Sequence, residues 1–437
     1  MKNKKIFYGW KLLAALCVIY FLSIGTAFSG FAVLLPPILA EFNWSRTQAG
    51  GAFALATIAL GVMGPLVALL MRQIGIRWTM ALGGVVTSAA SVVAYNMEQL
   101  WQLYLGVGFL LGTGMAMQTI LPCSQVVTNW FYHRRSLAMG IFLASGGLGG
   151  FVWAPLFAAL TEATGEWRYA ASLIGVAAMV SSLMAMWIVR DRPEQVGEVV
   201  DGQEFNQSQT LSSEASKPKR VFRTEKDWET SLALKSWGFW IVVFTGATAT
   251  LGVTIVNSQS MLHLQDLGID AVTASQALGI TGLVSTVGRL MSGFYGDRLE
   301  PKYLLSLGLL LVTIGMLLLG YATTTLFVFL YAVIFGLGYG MSLVASMALL
   351  ANYFGSTHYG ALFSVRGIVV TALGAIGPIA AGLSADNFDS YLPIFYLFSV
   401  MGVSAALIQF LTPAPIHPEL KSKQKTVIEV EPCRASN

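Results

Sequence analysis

Residues 273–296 read TASQALGITGLVSTVGRLMSGFYG, an apolar run of 24 residues whose single charge is Arg289. The run is long enough to cross a hydrocarbon core of about 30 Å as an α-helix, which takes about 20 residues. A guanidinium at that depth costs roughly 3 to 17 kcal/mol, and such a residue marks a polar pathway or an anionic ligand. Of the 26 Lys and Arg residues, only Arg366, in the apolar run 360–384, is similarly placed. Two such cations imply a membrane protein that handles organic anions.

Outward from that run, comparable stretches recur with short polar breaks. They cover 11–35, 48–71, 77–95, 101–128, 136–160 and 169–189, then 237–262, 273–296, 303–321, 326–352, 360–384 and 391–412. Their lengths fit helices rather than barrel strands. A composition 55% hydrophobic and 11% charged, with mean hydropathy +0.66, excludes a water-soluble globule of this length. The expected fold is an all-α integral membrane protein of twelve transmembrane helices in two pseudo-symmetric six-helix bundles.

Basic loop residues accumulate where loops stay in the cytoplasm. Here 22 of them, from Lys2 through Arg72, Arg134, Lys226 and Arg298 to Arg434, fall on one side, and only Arg46 and Arg168 fall opposite. An error of one span would destroy that asymmetry. Both termini are therefore expected in the cytoplasm, in a multi-pass protein of the cytoplasmic membrane. The net charge of +4 is explained by basic loops on anionic lipid and calls for no nucleic acid. The basic start followed by an apolar run is read as the first span rather than a cleaved signal, because the run continues to Leu35. Cys17, Cys123 and Cys433 carry no metal or disulfide spacing, and no metal or cofactor is expected.

Residues 190–236 turn polar and charged and are read as a solvated cytoplasmic linker between an N-terminal bundle, 1–189, and a C-terminal one, 237–412; the tail 413–437 reads the same way. The halves share features, the mark of a duplicated bundle. Gly64 to Arg72, with Gly75 and Arg77, answers Gly293, Gly296, Asp297, Arg298 and Lys302. Gly112, Gly114 and Asn129-Trp130-Phe131 answer Gly336, Gly338 and Asn352-Tyr353-Phe354.

At these positions the chain resembles the major facilitator superfamily, whose loops after the second and eighth helices carry a glycine, acidic, basic pattern. The first copy departs from it, with Met71 where an aspartate is usual. The resemblance therefore implies a gate built from Arg72 in one copy and from Asp297 and Arg298 in the other. Tyr8-Gly9-Trp10, Asn129 through Arg134-Arg135 to Gly140, Leu267-Gly268 and Gly288-Arg289 are similar to monocarboxylate transporters and oxalate/formate antiporters. That likeness implies that Arg289 binds a substrate carboxylate. Tyr359-Gly360 followed by Arg366 reproduces the cation spacing of the antiporters.

The chemistry agrees, since a planar guanidinium offers paired donors to both oxygens of a carboxylate. Two guanidinium groups in a low-dielectric cavity repel, and an anion between them relieves that repulsion. The structural alternative is that each arginine bonds a helix carbonyl or an acid and locks helices, with Arg366 snorkelling toward water. All 22 Asp and Glu residues fall in loops, tails or span ends. Ser285 stands where proton-coupled relatives place an aspartate, so proton symport would need His263 or a protonated substrate, and anion exchange is equally open.

Phe28, Ser29, Gln118, Asn257 and Tyr339 are further cavity candidates, with helix packing as their bland alternative. Gly146–Gly150 and Gly336–Gly340 resemble nucleotide loops but lie in apolar helices with no strand before them, and are read as close-packing sites. Pro36, Pro37, Pro65, Pro155 and Pro378 read as kinks. No nucleophile, base or metal cluster supports an enzyme. The expected function is secondary transport of a small mono- or dicarboxylate, with protons or a counter-anion as coupling partner. A carboxylate-binding membrane sensor and an exporter of larger aromatic acids are the alternatives.

Overall fold

The computed structural model describes residues 7–30, 34, 37–38, 41–44, 46–202, 221–388 and 390–419; the side chains of Phe28 and Ser29 and the residues Pro36 and Cys433 lie outside that set. Among the described residues the chain is helical without strands. Its long helices are α1 (Tyr8–Ile24, continued by a π-helical turn Gly25–Gly30), α2 (Arg46–Val62) and α3 (Gly64–Gln73). There follow α4 (Ile76–Tyr95), α5 (Leu100–Trp130, with a π-helical stretch Tyr104–Leu110 and a break at Thr119), α6 (Arg135–Thr164) and α7 (Trp167–Ile188). After a short α8 (Thr230–Lys235) come α9 (Trp237–Asp266), α10 (Ala271–Gly296), α11 (Pro301–Gly320), α12 (Thr325–Phe354), α13 (Tyr359–Phe388) and α14 (Leu392–Leu411). Eleven of these elements are long and apolar enough to cross a membrane, and twelve when α2 and α3, bent by 44° where Met63 meets Gly64-Pro65, count as one span. In lipid the helical backbone satisfies its own hydrogen bonds, which is why apolar runs of this length take this form.

Helix ends that the charge pattern assigns to one side do meet on one face, here called the basic face. Tyr8 Oη donates to the Ile188 carbonyl, Trp130 Nε1 to that of Arg190, and Lys302 Nζ to that of Thr412. On the opposite face Arg168 pairs with Glu41 at 2.8 Å and holds that carboxyl below its ordinary range.

Buried apolar side chains form three clusters. One runs toward the basic face and draws on both halves of the chain, joining Leu12, Val67 and Met139 to Met341, Leu349 and Leu362. The second contains only first-half residues, among them Leu34, Val107 and Trp167, and the third only second-half residues, among them Val256, Phe335 and Phe395. Apolar packing is thus shared between the halves toward the basic face and separate elsewhere.

The polar linker differs from its reading as a solvated connector. Residues 190–202 lie across the end of α5, where Asn129 Nδ2 donates to the Asp191 carbonyl and the Tyr132 and His133 amides donate to the Asp201 carboxylate. Residues 221–236 repeat the arrangement across the end of α12. There the Thr224 and Trp228 amides donate to the carbonyls of Asn352 and Phe354, and Asp227 accepts from the Ser356 and Thr357 amides. Trp228 is buried between Phe354 and His417, and the start of the tail joins it through an ion pair of Glu419 with Lys226. Helix ends leave amides and carbonyls without intrahelical partners, and these two straps supply them. The composition hid this because only a few large residues, Val221, Phe222 and Trp228, anchor an otherwise polar segment. Replacing a buried Trp by Ala costs about 3–5 kcal/mol. Trp228→Ala is therefore expected to lower the thermal unfolding midpoint of the detergent-solubilised protein by several degrees, whereas a freely solvated linker would leave it unchanged.

Candidate substrate site and basic-face gate

Arg289 sits in α10 two turns before its end, half-buried, and donates from Nη1 to the Leu143 carbonyl of α6 at 2.8 Å. Its Nε has no hydrogen-bond partner, and no carboxylate lies within 4.0 Å of it among the described residues. The bond to Leu143 uses one donor of five and leaves most of the fork available. Arg366, on α13, is buried at 5% exposure rather than snorkelling to the basic face. It donates from Nη2 to Ser346 Oγ of α12 at 3.0 Å, its Nε is unpaired, and its guanidinium lies 5.7 Å from the Phe363 ring. It too has no carboxylate within 4.0 Å among the described residues.

Two tyrosines lie within electrostatic range of the cations. Tyr20 of α1 packs on Phe142 at 4.5 Å and lies within electrostatic range of both Arg289 and Tyr339, while Tyr339 of α12 lies within range of Arg366. These four residues come from α10, α1, α12 and α13. The expected residues among them are the two arginines and Tyr339. Tyr20 was missed, since one aromatic in an apolar span carries no mark of the helices that will face it.

The remaining candidates lie elsewhere. Gln118 is buried in the first half, accepting from Ser23 Oγ at 2.9 Å against Gly84. Ser285 donates within its own helix to the Gly282 carbonyl, and its carbonyl packs on Gly340. Asn257 is exposed on α9, and the Phe28 side chain lies outside the described residues. His263 is buried with Nε2 3.2 Å from the Leu319 carbonyl, between Tyr391 and Phe395, so it braces α9 against α11 and α14.

The halves meet toward the basic face. α6 crosses α10 backbone to backbone: a Cβ on Gly140 would stand 2.7 Å from the Arg289 carbonyl oxygen and from Gly293 Cα. Asp297, at the end of α10, accepts from the Ser136 and Leu137 amides at the start of α6, at 2.9 and 3.0 Å. Burial pushes its carboxyl above the ordinary range while these amides and Arg223 draw it back. Arg223, from the linker, stands 3.8 Å from Asp297, donates to the His133 carbonyl and covers the Tyr132 ring. Arg298 does not join the clamp; it is exposed over the Phe294 ring at 4.4 Å.

Arg135 corrects the sequence reading in another way. Counted there as a solvated loop charge, it is 4% exposed and bonds the Phe131 and Thr128 carbonyls and Asn352 Oδ1 of the other half. Those neutral oxygens come from helix ends, which is how a loop arginine is buried without an acid.

Across α3 and α13 the carboxylate is missing. Met71 meets Gly360 there, Ser364 Oγ donates to the Gly64 carbonyl, and Gln125 Nε2 donates to that of Ser356. Beside them, on the basic face, opens a cavity of about 520 Å³ lined by Met71, Arg72, Gln125, Asn129 and Gly360. Neither Arg289 nor Arg366 borders it.

Up to twelve spans, a shared basic face and two arginines within the spans without a carboxylate partner among the described residues describe a polytopic membrane transporter. Residues 16–306 and 259–432 match the Major Facilitator Superfamily, and the chain belongs to that family. It is 24% identical to monocarboxylate transporter 2 of Homo sapiens, over 96% of this chain and 88% of that protein. It is also 24% identical to monocarboxylate transporter 13 of Rattus norvegicus, over 87% of this chain and 85% of that one. An uncharacterized transporter of Saccharomyces cerevisiae, ESBP6, is 35% identical over 31% of this chain and 20% of its own length.

Hydrogen bonds to a charged group contribute about 1.5–3 kcal/mol. Asp297→Asn is therefore expected to loosen the contact of α6 with α10. A cysteine placed at Ser136 would then react with a thiol reagent added from the basic face at least tenfold faster than in the parent protein carrying the same cysteine.

Proposed function

We propose that this protein is a secondary active transporter that moves a small organic anion, a mono- or dicarboxylate, across the cytoplasmic membrane by alternating access. Arg289 binds the carboxylate and Arg366 supplies the second cation. Both termini lie in the cytoplasm, so the basic face is the cytoplasmic one, and the contacts gathered there correspond to a state closed toward the cell interior.

One observation carries the reading. Two guanidinium groups, in α10 and α13, have no carboxylate within 4.0 Å among the described residues. Unpaired charge at such depth is expensive, and an anion between the two groups lowers that cost. The mammalian relatives, monocarboxylate transporters 2 and 13, agree in substrate class. Small acids are anions at neutral pH, and each arginine suits one carboxylate through two parallel N–H donors.

Coupling follows from what surrounds the site. Ser285 replaces an acid one helical turn before Arg289, and His263 is occupied at the α9, α11 and α14 contact. With no carboxylate or imidazole of the described chain at the arginines, exchange of one anion for another fits better than proton symport.

Reconstituted liposomes test both points. Counterflow of labelled oxalate, formate, lactate or pyruvate is expected without a pH gradient; a strict requirement for one refutes the exchange mode. Arg289→Lys keeps the charge but loses the fork, and is expected to cut transport at least tenfold with insertion intact, whereas unchanged uptake refutes its role. Arg366→Gln is expected to reduce transport of doubly charged acids more than of singly charged ones, and equal losses would remove it as a second ligand.

A further inference from the structure

We propose that Gly246 is a positioning residue for Arg366 and that it tunes the preference of the site between singly and doubly charged acids. The inference rests on the reading of Arg366 as the second carboxylate ligand.

Gly246 lies on α9 where the Arg366 guanidinium passes. A Cβ there would stand 2.4 Å from Nη2, 3.1 Å from Cζ and 3.2 Å from Nε, so the head group lies flat against a helix surface that has no side chain to keep it away. Ser346 Oγ on α12 holds the same Nη2 at 3.0 Å, and the Phe363 ring is 5.7 Å from Cζ. Together these draw the second cation back into the second half of the chain, at 5% exposure, while Arg289 remains half-buried. The two cations thus rest on different halves of the chain, Arg289 on the Leu143 carbonyl and Arg366 on Ser346.

The atoms a methyl group would meet are at the far end of a long, flexible side chain, so Gly246→Ala displaces the guanidinium rather than the helices. The displaced group leaves Ser346, so the position of the second cation in the site changes. A changed spacing of the two cations alters binding of a ligand with two carboxylates, which must meet both, more than binding of one that neutralises a single charge.

The test compares the parent, Gly246→Ala, Arg366→Gln and the double variant in liposomes, reading the ratio of inhibition constants for oxalate and lactate. Gly246→Ala is expected to shift this ratio at least threefold, and to produce no shift when added to Arg366→Gln. If Gly246→Ala inserts but does not transport, stabilisation of the purified protein against heat by each acid supplies the same ratio. An unchanged ratio, or an equal shift in the Arg366→Gln background, overturns the positioning role, the latter because it would report only altered packing of α9. An Arg366→Gln variant indistinguishable from the parent with both acids overturns the reading of Arg366 itself; an Arg366→Gln effect beside a silent Gly246→Ala overturns Gly246 alone.

Discussion

The approach of α6 to α10 at Gly140 and Gly293 is the contact on which the arrangement of the site turns. Backbones this close leave no room for a side chain, and the carbonyl at Gly140 is that of Arg289 itself. Where α10 carries Arg289, it is therefore tied to the other half of the chain. Small residues at such crossings let helices pack in lipid, where burial of apolar surface gives no drive for helices to associate. One turn beyond Gly293, Asp297 accepts from the first amides of α6, so a steric contact and a charged one meet at the same corner.

The two-fold likeness of the halves breaks down at the basic face. Straps on each side, 190–202 and 221–236, close the helix ends with matching carboxylates, Asp201 and Asp227. The clamp at Asp297 has no counterpart at Met71, where a thioether meets Gly360 and a cavity opens. Neutral bonds from Ser364 and Gln125 hold that side, and such bonds are weaker than those made to a charge. Opening of the basic face is thus expected to cost less on the α3 and α13 side than at Asp297.

Much of this was legible in the chain. Among the described residues hydropathy marked the spans to within a few residues except for the ends of the longest helices, because a helix that must satisfy its backbone in lipid announces itself by length and apolarity. Arg289 and Arg366 stood out for the same reason. Arg135 did not, since a loop next to basic neighbours gives no sign that three oxygens from two helix ends will surround its guanidinium. Tyr20 and Gly246 were silent too. One is an ordinary aromatic and the other an ordinary glycine until the helices that face them are known.

The sequence by itself determined the class of protein, the number of spans, the uneven distribution of basic residues and the two cations in the spans, all properties that depend on each segment and its solvent. Tertiary structure alone decided which half each arginine leans on, that Asp297 bonds backbone amides rather than Arg298, and that the linker segments 190–202 and 221–236 are seated on helix ends. Those outcomes depend on side chains from helices far apart in the chain, and one helix carries no record of the partner that lipid and packing bring against it.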